Sequence, residues 1–76
     1  METLYTMEVH EKAKIKKIQI TDQVQYFRLL EMGFLVGTLV QVKFIAPRRK
    51  NMILSIRDYQ ICLSQGILSQ IEVEKS

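Results

Sequence analysis

Tryptophan is absent from this chain of 76 residues, and cysteine, proline and histidine each occur once. A lone cysteine, Cys62, rules out an internal disulfide and a Cys-based zinc finger. A small domain without such staples fits a reducing compartment, and Cys62 itself reads as a small buried filler. With one histidine, His10, and no carboxylate pair in an apolar setting, no nucleophile and base are placed to meet. An enzyme is therefore not expected. The N-terminal stretch METLYTMEVHEK lacks the pattern of a secretion signal. No apolar run approaches the roughly 20 residues that span a bilayer, so the expected location is cytoplasmic. Six aromatics (Tyr5, Tyr26, Phe27, Phe34, Phe44, Tyr59) supply the bulk, and the core must rest mainly on Ile, Leu, Val and Met.

Apolar residues make up 47% and charged residues 25%, an ordinary balance for a folded chain. The length predicts one domain, residues 1–76, with a modest core. The net charge of +3 permits an acidic partner, a membrane surface or nucleic acid without selecting among them.

Along the chain, "KAKIKKIQI" begins as a strict alternation. Ala13 and Ile15 face one way, Lys12, Lys14 and Lys16 the other. The phase then slips, which predicts a bulge at Lys16-Lys17 in a bent strand. The period changes in "TDQVQYFRLLEMG". Thr21 or Asp22 can cap a helix whose Tyr26, Leu29 and Leu30 share a face. Gly33 ends that helix where a left-handed residue must satisfy the last carbonyls. Phe34 to Val36 form a tight apolar turn, and Gly37 lets the chain swing into "TLVQVKFIA". There Val40, Val42, Phe44 and Ala46 are expected on one face, with Leu39 and Ile45 adding apolar groups to the other. Pro47 opens the loop "PRRKN". "MILSI" and "YQICL" form a hairpin at Arg57-Asp58, "SQGILS" a helical turn, and "QIEVE" the last strand. Met32 and Met52 read as core. Five short strands with one helix and one helical turn predict a small closed barrel, because closure removes exposed strand edges.

The pattern Arg28-Leu29, Met32-Gly33-Phe34, Gly37, Val40-Val42, Ala46-Pro47, Ile61-Cys62-Leu63 and Ile71-Glu72-Val73 resembles the FeoA family. The resemblance implies an SH3-like β-barrel and a small cytoplasmic accessory protein of bacterial ferrous-iron uptake. Its implied partner is the cytoplasmic, GTPase-bearing region of the membrane ferrous-iron permease FeoB, whose transport it would modulate. The sequence departs from the family pattern at Val36 (usually proline), His10 (often glycine), Ser64, and the loop Arg48 to Asn51.

On that reading the turn Phe34, Leu35 and Val36 is the expected apolar anchor for the partner, and Arg48, Arg49 and Lys50 the steering charge. Gly33, Gly37 and Pro47 are structural turn residues. No cofactor is expected. Iron favours imidazole and carboxylate, so Glu8, His10 and Glu11 are the candidate ligands for a weakly bound transition-metal ion. The plainer reading leaves those three as solvated residues before the first strand. The strand lysines read as a solvated face that discourages edge pairing. Two other functions fit the same composition: a small basic barrel that binds nucleic acid, and an SH3-like module that binds a regulatory peptide.

Overall fold

The computed structural model describes residues 2–76. Its strands are β1 (Lys12–Ile18), β2 (Leu39–Ile45), β3 (Asn51–Ile56), β4 (Tyr59–Ser64) and β5 (Ile71–Lys75). They form one antiparallel sheet in the order β4-β3-β2-β1-β5. Helix α1 (Gln23–Glu31), the short helix α2 (Gln65–Leu68) and two 3-10 turns (Leu4–Thr6 and Pro47–Arg49) complete the chain. Among the described residues, no helix is long and apolar enough to cross a membrane.

The core covers one face of the sheet. Ala13, Ile15, Val40, Val42, Met52, Leu54, Ile56, Ile71 and Val73 point into it from the strands. Leu4, Met7, Leu29, Phe34 and Leu68 close over them from the turns and helices. Leu4 and Met7 come from an N-terminal segment too short to show a period, so the pattern of apolar residues gave no sign of their burial.

The expected barrel does not form. β4 and β5 are the two edges of the sheet and do not pair with each other. The outer side of β5 is already taken: Thr3 bridges Glu72, and the Val73 N–H donates to the Glu2 carbonyl at 2.9 Å. The chain crosses from β4 to β5 through α2, which packs on β4 and on the Leu4–Thr6 turn. The core is closed by side chains of these segments rather than by a last ladder of hydrogen bonds. The SH3-like barrel implied by the resemblance is thus replaced by an open sheet.

Two bulges set which side chains face the core. Between Ile15 and Lys17 the β1–β5 register shifts, at the place where the alternation of the sequence slips. A second shift between Val42 and Phe44 puts Lys43 into β2 as an extra residue against β3. Because side chains alternate strictly, one added residue sends Phe44 to the outer face, where it is 52% exposed. The expectation that Phe44 lies beside Val40 and Val42 is corrected on this point. Ile45 takes the inner position opposite Met52 instead.

Candidate functional site

The helix that leads to the apolar turn is fixed at both ends. Asp22 caps it, its Oδ1 accepting from the Val24 N–H at 2.9 Å and the Gln25 N–H at 3.4 Å. At the other end the Gly33 N–H donates to Leu30 and the Phe34 N–H to Leu29, the paired bonds of a Schellman stop. This stop needs a residue of positive φ, and Gly33 sits at 97°. Phe34, the next residue, packs fully inside beside Leu29. It therefore leaves the set of expected surface anchors, because the helix stop turns it inward. Leu35 and Val36 remain outside, 43% and 73% exposed. Gly37, at φ 92°, then donates to the Ile15 carbonyl at 2.7 Å and ties the turn to β1.

Beside this turn lies a groove of about 400 Å³ on the outer face of the sheet. Leu39 is its exposed apolar side chain, Thr38, Gln41 and Ser55 add polar groups, and Lys12 and Arg57 supply charge. Arg57 occupies the left-handed first position of the β3–β4 turn, and its guanidinium end lies over Gly33. An exposed apolar turn, the exposed Leu39 and two cations thus meet at one end of β2. Arg57 was missed in the sequence because the turn that bears it lies more than twenty positions beyond Gly33, and no local pattern joins the two.

The loop Arg48 to Lys50 lies at the other end of β2. Seven residues of strand separate it from the apolar turn, about 20 Å at the usual rise per residue. The two halves of the expected partner surface are not adjacent. Arg48 and Lys50 are exposed, and Pro47 opens the 3-10 turn as its first residue. Arg49 behaves differently. Its guanidinium donates to the carbonyls of Tyr5 and Met7, pairs with Glu8 at 3.4 Å and lies 5.7 Å from the Tyr5 ring centre. It fastens the N-terminal turn to the β2–β3 loop, so little of its charge is free to steer a partner.

Glu8, His10 and Glu11 do not come together as a ligand set. The Glu8 carboxylate is held by Arg49. That of Glu11 accepts from the Glu8 N–H at 2.7 Å and pairs with Lys75 at 3.2 Å. The Glu8 hydrogen bond, then Lys75, lowers the Glu11 pKa below its ordinary value, and Glu11 with Glu2 raises that of Lys75. His10 sits on the turn at φ 74°, its N–H donating to the Val42 carbonyl. A left-handed residue here explains why glycine suits this position. Among the described residues no group of three His, Cys, Asp or Glu side chains could hold a metal ion. The donors present do not fit one. Cys62, expected to be buried, is exposed on β4. It lies on the outer face opposite Ile53, one residue out of phase with the buried Leu63.

A model of the FeoA domain matches residues 2–75. The chain belongs to the FeoA family. Members of this family are non-catalytic accessory proteins, and the chain is accordingly not an enzyme. The FeoA-like protein from Clostridium acetobutylicum is similar at 26% identity and a TM-score of 0.83, over 96% of this chain and 84% of that one. Iron(II) transport protein A from Clostridium thermocellum shares 24% identity with a TM-score of 0.88. That match covers 97% of this chain but spans only 45% of the Clostridium thermocellum chain. Stenotrophomonas maltophilia FeoA, solved in complex with zinc, shares 19% identity with a TM-score of 0.84, over 97% and 91% of the two chains. The last two likenesses speak for the fold alone. No curated protein matches the sequence.

Proposed function

We propose that this FeoA-family protein is a cytoplasmic accessory of ferrous-iron uptake that binds the GTPase-bearing region of a membrane ferrous-iron permease and modulates its transport. The observation that carries this reading is the family match over residues 2–75. The likeness to the FeoA-like protein from Clostridium acetobutylicum, at 26% identity over 84% of that chain, supports the family assignment on which it rests. Iron in this reading is cargo of the permease and not a ligand of this chain.

The docking surface we assign is the exposed turn Leu35-Val36 with Leu39 and the cations Lys12 and Arg57 beside it. Apolar side chains at such a centre supply affinity, and surrounding charge mainly supplies approach rate. Arg48 and Lys50 form a second basic point about a strand's length away, able to steer the same partner.

The test measures binding kinetics with the isolated cytoplasmic region of the permease. Leu35→Asp should keep the wild-type melt, since Leu35 is 43% exposed, and should raise the off-rate about tenfold or more. Joint replacement of Arg48 and Lys50 by Ser should slow association and reduce its salt dependence. Absence of any complex with the wild-type protein would sink the reading. Wild-type binding by both variants would move the interface elsewhere.

A further inference from the structure

Among the described residues, one edge of the sheet, the outer side of β4, has no strand partner. The Gln65 N–H donates to the Lys50 carbonyl at 2.8 Å, and Asn51 to Ile56 pair in step with Ser64 to Tyr59. Alternation in an antiparallel ladder then turns the backbone groups of Tyr59, Ile61 and Leu63 toward β3. Those of Gln60 and Cys62 point away from it, and among the described residues nothing in the fold bonds to them.

Edges of this kind are normally protected by charge, proline, a bulge or a covering segment. β4 lacks the first three, and among the described residues no segment bonds to its outward backbone groups. Its six residues, YQICLS, carry no charge and no proline, and its register with β3 is unbroken. The opposite edge, β5, is covered by Glu2 and Thr3 and carries Glu72, Glu74 and Lys75.

Next to the bare edge runs a groove of about 200 Å³ between β4, α1 and α2. Leu29, Met32, Ile61, Leu63 and Ile67 line it, and Arg28 stands at its rim without a carboxylate partner among the described residues. A strand laid along β4 would place every second side chain over this groove, opposite Ile61 and Leu63.

We infer that β4 is a strand-accepting edge, which binds an extended segment of another protein by main-chain pairing with Gln60 and Cys62. The segment has apolar residues at alternate positions, facing the groove, and a carboxylate that meets Arg28. Main-chain bonds supply the affinity in such additions, and the alternate pockets supply selectivity. This site is separate from the turn at Leu35-Val36 and does not depend on what docks there.

The test uses a displayed library of random twelve-residue peptides against the whole protein, with amide hydrogen exchange read by NMR. Enriched peptides should show apolar alternation with an Asp or Glu, and should slow exchange at Gln60 and Cys62 about tenfold or more. Cys62→Pro removes one outward N–H without touching the β3 ladder and should abolish binding. If that variant fails to fold, Arg28→Glu, a change on the helix surface, should weaken the same peptides about tenfold. No enrichment would overturn the inference, as would enriched peptides that leave both amides unchanged. It would also fall if the free protein already protects these amides in a concentration-dependent way, because the edge would then belong to a second copy of the chain.

Discussion

Replacing Gly33 by Val tests the joint between helix and sheet. Gly33 is buried at φ 97°, outside the ordinary left-handed region as well as the helical one. An L-residue held at positive φ costs about 1–2 kcal/mol, and a strained β-branched one up to about 3 kcal/mol. A Cβ would also stand 2.9 Å from Arg57 Nε, so the arginine must shift. As the far end of a flexible side chain, it gives way cheaply. The expected losses are about 1–2 kcal/mol for Gly33→Ala and about 3 kcal/mol for Gly33→Val. A domain of this size has roughly 4–11 kcal/mol in total. Thermal melts followed by circular dichroism should fall by about 10–25 °C for the Val variant. Gly37 provides the control: its φ is 92°, yet a Cβ there meets nothing within 4 Å. Gly37→Ala should show the conformational cost alone, and any excess in Gly33→Ala should vanish in an Arg57→Ala background. A Gly33→Val protein that melts within about 2 °C of wild type would refute the helix-stop argument.

Arg49→Ala should cost roughly 1–2 kcal/mol in a urea titration, since it removes charge-assisted bonds to two backbone carbonyls and an ion pair. Arg48→Ala should stay within about 0.5 kcal/mol, and equal losses for both would show that Arg49 is not a fastener. The Glu11 pKa is lowered in the folded state, so its stabilising contribution is present above the ordinary carboxylate range and fades as pH falls through the folded value. That of Lys75 is raised, so its contribution is present below the ordinary lysine range and fades as pH rises through the folded value. Glu11→Gln should therefore flatten the acid limb of a stability–pH curve, and an unchanged limb would remove Glu11 as its source.

Local signals in the sequence matched local structure. The slip in "KAKIKKI" marks the β1 bulge, Asp22 is one of the two caps named, and Gly33 makes the stop expected of it. Each of these depends on neighbours within a few positions, where period and turn chemistry act. Features that depend on distant partners were not legible. The bulge at Lys43 is set by how β2 meets β3, and nothing in "LVQVKFI" breaks alternation, so the sequence alone puts Phe44 on the inner face. Closure of the sheet is illegible for the same reason. Whether two edges pair depends on what already occupies them, and Glu2 and Thr3 occupy β5 from the far end of the chain. In the candidate site, Leu35 and Val36 were readable as an apolar turn. Phe34 was not separable from them until the Schellman bonds showed which way each residue points. Arg49 looked like its neighbours Arg48 and Lys50, although its carbonyl partners lie more than forty positions away.

The two edges of the sheet also explain where the charge can act. On β1, Lys14 and Lys17 stand opposite Glu74 and Glu72 of β5, so those lysines face acids rather than open solvent alone. Arg49 and Lys75 are paired with carboxylates. Two of the eleven cations, Arg49 and Lys75, thus form ion pairs within the fold, and two more stand in register with acids. Among the rest, Arg57 borders the groove at Leu39 and Arg28 the groove beside β4. Each groove thus sets apolar side chains beside a cation that has no ion pair among the described residues. A partner able to use either groove must bring apolar side chains and at least one carboxylate. The same requirement, read from the cations alone, would fit phosphate equally well. The apolar walls decide between them, because a phosphate backbone gains nothing from Leu29, Met32 or Leu39, whereas an acidic protein segment fills both needs.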